Sequence, residues 1–122
     1  MKNCFALRAA TTVDMDSPRE MDEAVAEVFD ELIRRNGLEL DDIAYIILSQ
    51  TPDLKTRNAA TSLRKTGKCD NIPLFCLQEA EIHGMLDHVI RMLVVVGRPP
   101  EGEAKMVYLR RAASLRPDLK VE

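Results

Sequence analysis

The side chains with chemistry to offer in this sequence are arginines and a glutamate. Glu79 closes the run Ile72-Pro73-Leu74-Phe75-Cys76-Leu77-Gln78, and Arg91 interrupts a second apolar run, Val89 to Val96. A guanidinium inside so apolar a stretch must face a partner, a ligand or water, because an unpaired buried charge is very costly. If the two runs are neighbouring strands, Glu79 and Arg91 line one pocket. Arg8 interrupts a third apolar run near the N-terminus. Two readings stand for it: an edge-strand side chain reaching solvent, or an anion clamp held on rigid backbone. Arg57, Thr61 and Arg64 recur at close to one helical turn, which makes either a solvated surface or a basic face beside a site. Arg116 stands at the root of the C-terminal tail. This inventory suits recognition of a small polyanion and electrostatic catalysis, and suits covalent or proton-transfer chemistry much less.

Other chemistries find little support. His83 and His88 are five residues apart, poor spacing for two ligands on one helix face, and no carboxylate pattern completes a metal site, although Asp87 stands where it could orient either histidine. Ser49, Ser62 and Ser114 lack a nucleophile-elbow context. Cys76 sits in a strand with no histidine placed beside it, so it is expected, like Cys4, to be a buried thiol. There is no glycine-rich phosphate loop. Three cysteines at irregular spacing make neither a disulfide framework nor a zinc set, which fits a reducing cytoplasm. The 17 basic and 20 acidic side chains, net charge −3, argue against a nucleic-acid coat but leave room for a local basic pocket for a small anion. No apolar segment approaches the roughly 20 residues of a membrane helix, and none near the N-terminus makes a signal peptide.

The elements that must position these groups follow from pattern. Residues 2–13 read as a first strand, with Cys4, Ala6, Arg8 and Ala10 on one face. Ser17-Pro18-Arg19-Glu20 is a helix start, with Ser17 as cap, Pro18 at the first helical position and Glu20 completing a capping box. Met21, Ala24, Val25, Val28, Phe29, Leu32 and Ile33 then form one apolar stripe, stopped near Arg34, Arg35 and Gly37. Residues 43–50 read as a central strand apolar on both faces, 56–66 as a short helix ended by Gly67, and 72–78 as a strand whose Pro73 lacks a ladder partner. Residues 82–86 make a turn or brief helix, 87–96 a β-branched strand, and 104–113 a fifth strand with Met106, Tyr108 and Arg110 on one face. The whole, residues 1–122, is one α+β domain: a mixed β-sheet covered by one long helix. The sheet face left without helices is expected to meet another subunit in a cyclic homo-oligomer.

In order and spacing, LRAATTV (7–13), LSQTPDL (48–54), CLQE (76–79), VIRML (89–93), VYL (107–109) and LRPDL (115–119) resemble the monofunctional, trimeric bacterial chorismate mutases of the AroH class. The resemblance implies conversion of chorismate to prephenate without a cofactor or covalent intermediate, in clefts between subunits of a homotrimer. It implies that Arg91 contacts the ether oxygen of the breaking bond and Arg8 pairs with a substrate carboxylate. Glu79 accepts a hydrogen bond from the ring hydroxyl, and Tyr108 contacts the other carboxylate region. Cys76 lines the same pocket. Arg64 and Arg116 stand at its mouth, Leu115 belongs to a C-terminal lid, and Asn58, Thr61, Leu74 and Phe75 complete the substrate-binding set.

This chain departs from the family pattern at three of those positions. Family members typically carry an aromatic residue in place of Asn58, often lysine in place of Thr61, and threonine in place of Phe75. The first two changes remove an apolar wall and a positive charge, so weaker substrate capture is expected more than lost chemistry, with Arg57 partly replacing the charge. Phe75 is expected to point to the opposite side of its strand from Cys76. The departures keep open an alternative: a weak or inactive homologue serving as a trimeric anion-binding or regulatory module. Another enzyme on a similar trimeric scaffold, such as an imine deaminase, would need a positioned water or proton relay, and the sequence offers none.

Overall fold

The computed structural model describes residues 4–100 and 102–118. Strand β1 (Phe5–Thr12) leads into helix α1 (Pro18–Arg35), then strand β2 (Ile43–Gln50), helix α2 (Ala59–Arg64), and strands β3 (Leu74–Gln78), β4 (Val89–Val96) and β5 (Val107–Tyr108). Short 3₁₀ turns precede β2, at Leu40–Asp42, and follow β5, at Arg110–Leu115.

Helix α1 begins as its sequence dictates. The Ser17 side chain accepts from the Glu20 amide at 3.2 Å, and Pro18 takes the first turn. The Glu20 carboxylate reaches past the cap, accepting from the amides of Asp14 and Met15 at 3.3 and 3.1 Å. This differs from the simple capping box, in which Glu20 would meet the Ser17 amide. That amide instead donates to the Met15 carbonyl, so the acidic side chain serves the loop before it. At the other end Gly37 adopts φ 59°, the left-handed conformation, and Leu38 N–H donates to Ile33 O at 3.1 Å. The helix therefore closes in a Schellman turn.

The sheet has the order β3-β2-β4-β1-β5. β4 runs antiparallel to both β2 and β1, while β2–β3 and β1–β5 are parallel. The unit β1–α1–β2 is thus a crossover between two parallel strands, and β4 fills the gap between them. A parallel pair cannot be joined by a tight hairpin, so α1 and α2 serve as the crossovers, and they cover one face. On that face Leu7, Ala9, Ile46, Leu48, Ile90, Met92, Val94 and Val96 pack with Met21, Val25, Val28, Phe29 and Leu32 of α1 into one core.

The other face carries Ala6, Arg8, Ala10, Tyr45, Ile47, Ser49, Phe75, Leu77, Arg91, Leu93, Val95 and Tyr108, by the period-2 alternation of the strands. Phe75 (63 % exposed), Leu77 (49 %) and Tyr45 (41 %) leave its β3–β2 side apolar and open.

Several expectations need correction. Glu79 and Arg91 do not belong to neighbouring strands, because β2 lies between β3 and β4. The segment 104–113 is not a long strand. β5 holds two residues, and Arg110 at φ 54° turns the chain into a 3₁₀ helix. That turn lets Ala112 pack with Ala10 and Tyr108 in a small cluster of their own, which an extended chain could not do. The short helix starts at Ala59, not at residue 56. Cys4 is exposed and Cys76 half-buried, whereas Cys69 is the buried thiol, its titration pushed up to about 11 by burial. The Lys2 and Asn3 ends of the first expected strand lie outside the described residues. No helix among the described residues is long and apolar enough to cross a membrane.

Asn36 ties the end of α1 to the chain entering β5. It is fully buried, its Nδ2 donates to the carbonyls of Leu32 and Lys105 at 2.9 and 2.8 Å, and its Oδ1 accepts from Lys105 N at 2.8 Å. Asn36→Ala strands the Lys105 amide and carbonyl, so it is predicted to cost about 2 kcal/mol in urea unfolding. A change below about 0.5 kcal/mol would show that this junction contributes little.

Candidate active site

Register assembles the site. In one rung of the sheet, Leu77 of β3 pairs with Ser49 of β2, Ser49 with Arg91 of β4, Arg91 with Ala10 of β1, and Ala10 with Tyr108 of β5. Cross-strand partners point to the same face. Arg91 and Tyr108 are therefore two strands apart, about 10 Å at the usual strand spacing, with only the small Ala10 between them. In the next rung Phe75, Ile47, Leu93 and Arg8 stand in line. The result is a concavity of about 270 Å³ lined by Arg8, Ile47, Ser49, Arg91, Leu93 and Tyr108, with Ala9, Leu48 and Met92 contributing their edges. The flanking apolar residues Ile47 and Leu93 lower the local dielectric.

Two guanidiniums bring unused donors to that space. Arg8 makes no side-chain hydrogen bond or ion pair among the described residues; its backbone amide donates to the Met106 sulfur. Arg91 spends its Nε on Glu79, at 3.2 Å from Oε1 and 3.1 Å from Oε2, and keeps both Nη groups unpaired among the described residues. Glu79 lies one residue beyond β3, its amide still held by Gln50 O at 2.9 Å. Its Oε2 also accepts from the Ser49 hydroxyl at 2.7 Å. Ser49 had no catalytic context in the sequence. The signal that could have found it is that Ser49, followed by Gln50, ends a strand that is otherwise apolar.

The C-terminal residues border the same space. Leu115 packs against the Ala10–Tyr108–Ala112 cluster, and the Arg116 guanidinium lies 5.7 Å from the centre of the Tyr108 ring. Arg116 is in turn paired with Asp118 through Nε and Nη2 at 3.1 and 2.9 Å.

The remaining expected residues lie elsewhere in the chain. Leu74 and Cys76 face the helix side of β3, because their partners Ile46 and Leu48 are core residues. Phe75 faces the opposite side from Cys76, as alternation requires. Cys76 and Asn58 line a second concavity of about 250 Å³, together with Gln50, Arg57 and Gln78. Gln50 organises it. Its amide donates to Leu54 O and Arg57 O, both at 3.0 Å, and accepts from Ala59 N at 2.8 Å and Cys76 Sγ at 3.5 Å. Asn58 caps α2, accepting from Ala60 N at 2.8 Å. Arg57 does not leave a free charge at this edge, because its Nη2 meets Asp22 at 3.2 Å. Thr61 and Arg64 are exposed on α2, and Arg64 donates to the Cys69 carbonyl.

Asp87 does not orient a histidine. It pairs with Arg111 at 3.0 Å, and it is Asp53 that accepts from the His88 amide. Asp53, Asp87 and His88 bring donor atoms within 4.8 Å of one another, but each is already engaged, His88 Nδ1 by the Val13 carbonyl at 3.2 Å.

Arg116 holds the Asp118 carboxyl below its ordinary value, and Asp118 pushes Arg116 further up. A carboxylate lowered in the folded state contributes stability above its unfolded value, and that contribution is lost as pH falls through the folded value. The Arg116–Asp118 pair is thus intact near neutrality and opens only in acid below about pH 4. A carboxyl NMR titration should place the Asp118 midpoint below the ordinary aspartate value, with Arg116→Ala returning it there. An unmoved midpoint in the variant would show that the pair does not form in solution.

Known proteins resemble this chain along nearly its whole length. The family model described as chorismate mutase type I matches residues 4–119. The chorismate mutase AroH of Bacillus subtilis (strain 168) is 31 % identical over 116 residues, 94 % of this chain and 91 % of that protein. The chorismate mutase AroH of Thermus thermophilus is 33 % identical over 116 residues, 93 % of this chain and 94 % of that one. Among solved structures, a chorismate mutase from Clostridium thermocellum superposes with a TM-score of 0.83 at 32 % identity, over 90 % of this chain and 98 % of that chain. With near-complete coverage in sequence and in structure, the chain belongs to the chorismate mutase type I family.

Proposed function

We propose that this protein converts chorismate to prephenate by a Claisen rearrangement without cofactor or covalent intermediate. The observation that carries the reading is the pair of guanidiniums, Arg8 and Arg91, whose unused donors face one apolar-walled concavity. Chorismate is a dicarboxylate with an ether bridge and a ring hydroxyl. In the rearrangement the carbon–oxygen bond breaks ahead of carbon–carbon bond formation, so negative charge grows on the ether oxygen. A guanidinium fixed there binds the transition state more tightly than the substrate, and Arg91 takes that role. Arg8 clamps a carboxylate through its planar fork, and Tyr108, with Arg116 over its ring, borders the other. Glu79 Oε1 accepts only from Arg91 Nε among the described residues, which leaves lone pairs for the ring hydroxyl. These contacts hold the enolpyruvyl arm over the ring in the reactive chair-like pose. No group acts as a general acid or base.

The second half of the site comes from a neighbouring subunit. Asn58, Thr61, Arg64, Leu74, Phe75 and Cys76 belong to the α2–β3 edge, and Leu74 and Cys76 point away from Arg91 within their own chain. Another copy would bring Asn58, Thr61, Arg64, Leu74 and Cys76 to the mouth of the Arg8–Arg91 cavity. The exposed Phe75, Leu77 and Tyr45 supply an apolar surface for the contact. A homotrimer with sites at its subunit boundaries, working in the cytoplasm on one domain per chain, accounts for both faces. The commitment of Asn58 to capping and of Arg57 to Asp22 favours a second reading, a weak catalyst retained as an anion-binding module.

Loss of chorismate absorbance with prephenate as product is the direct test. Arg91→Ala should lower kcat at least 10²–10³-fold, the effect of removing one oxyanion donor, and the wild-type rate should be flat with pH near neutrality. A steep bell there would rule out this mechanism. An intact oligomer that binds a bicyclic transition-state analogue without turnover would leave the module reading standing.

Shared sites make a separate prediction. Arg8→Ala and Arg64→Ala proteins, each feeble alone, should regain activity when unfolded and refolded together, since mixed trimers contain some sites with both arginines. Mixtures no more active than their components would place each site within one chain.

A further inference from the structure

We propose that Ser49 is a positioning residue for the reaction, acting through Glu79 on the direction of the Arg91 guanidinium; the inference rests on the functional reading above and deepens it. Because β2 separates β3 from β4, Glu79 and Arg91 meet across an intervening strand, and the residue of that strand beneath them is Ser49. Its hydroxyl proton goes to Glu79 Oε2 at 2.7 Å, the shortest contact the carboxylate makes. The carboxylate is therefore held at two points, by the β2 hydroxyl and by Arg91 Nε of β4.

The hydroxyl decides which edge of Arg91 the glutamate occupies. A guanidinium offers a carboxylate a fork at Nε and one Nη, or a fork at both Nη groups. Glu79 lies on Nε alone, which leaves the Nη groups for a ligand. It begins past the last residue of β3, on a long side chain with rotatable bonds and no backbone ladder beyond Gln50. Without the serine hydroxyl, the carboxylate can rotate onto the Nη groups and make the bidentate pair. It would then occupy the donors intended for the ether oxygen and neutralise them. A glutamate this close to the central arginine is useful only while something holds it to one side, and Ser49 is placed to do so.

The test compares Ser49→Ala and Ser49→Thr with the wild type, with thermal unfolding as a check that each folds. Threonine keeps the hydroxyl and suits a strand. Ser49→Ala should lower kcat about tenfold, the usual effect of losing a hydrogen bond to a charged group, with KM changed much less. Ser49→Thr should restore kcat to within about threefold. In a Glu79→Ala background, Ser49→Ala should cost nothing further, whereas a purely structural serine would cost the same in both backgrounds. The Arg91 Nε–H resonance gives a readout that needs no turnover: it should shift in Ser49→Ala and be retained in Ser49→Thr. A wild type without turnover would end the chorismate mutase reading, and the resonance would still decide the inference. An unshifted resonance, or a loss of kcat that persists without Glu79, would overturn it.

Discussion

The structure depends on one charge in the middle of a sheet. Arg91 stands in β4, flanked on both sides by strands and, along its own strand, by Ile90 and Met92 in the core. A guanidinium is tolerated there only because strand alternation turns it away from α1, to a face that still reaches water. Even so it remains only partly exposed, and Glu79 with Ser49 supplies its countercharge. That arrangement fixes the parity of β4, and β4 sets the register of β1 and β2 on either side. A slip of one residue would drive Arg91 into the core and Met92 out of it. The placement of this charge and the register of the fold are the same constraint.

A sheet with helices on one side alone has a cost and a use. The cost is an apolar outer face, open at Phe75, Leu77 and Tyr45. The use is that this face is where arginines can stand without being buried. The two crossovers that build the parallel pairs put α1 and α2 on the same side, so the outer face is a direct product of the topology. It also explains why the residues expected to bind substrate do not all stand together in this chain. Those on the outer face gather around Arg91. Asn58 and Cys76 stand instead around Gln50, whose amide satisfies the carbonyls of Leu54 and Arg57 and the amide of Ala59. Adjacent residues of β2, Ser49 and Gln50, thus organise opposite faces of one strand.

The departures from the family pattern acquire physical meaning in this frame. Asn58 is a helix cap, so its side chain turns back toward the backbone of α2 and presents no apolar wall. Arg57 cannot stand in for a lysine at position 61, because Asp22 of α1 already holds it. Phe75 enlarges the exposed apolar surface of β3. It sits in the rung of Leu93 and Arg8, on the outer face, and leaves the Cys76 concavity untouched.

Much of this protein is determined locally. The Ser17 cap, the apolar stripe of α1 and its Gly37 stop, the β-branched run of β4 and the misfit of Arg91 are all properties of short stretches, and short stretches fix periodicity and parity. The mixed sheet under one long helix follows from their order, and the resemblance of six motifs pointed to the family. Tertiary structure decided what lies beside what. That β2 intervenes between Glu79 and Arg91, that Ser49 is therefore their partner, and that Cys76 faces the helices are consequences of non-local hydrogen-bond ladders. So is the brevity of β5, where Arg110 leaves the extended conformation so that Ala112 can pack on Ala10 and Tyr108. No local pattern encodes such pairings, because the energy that selects them comes from residues distant in sequence.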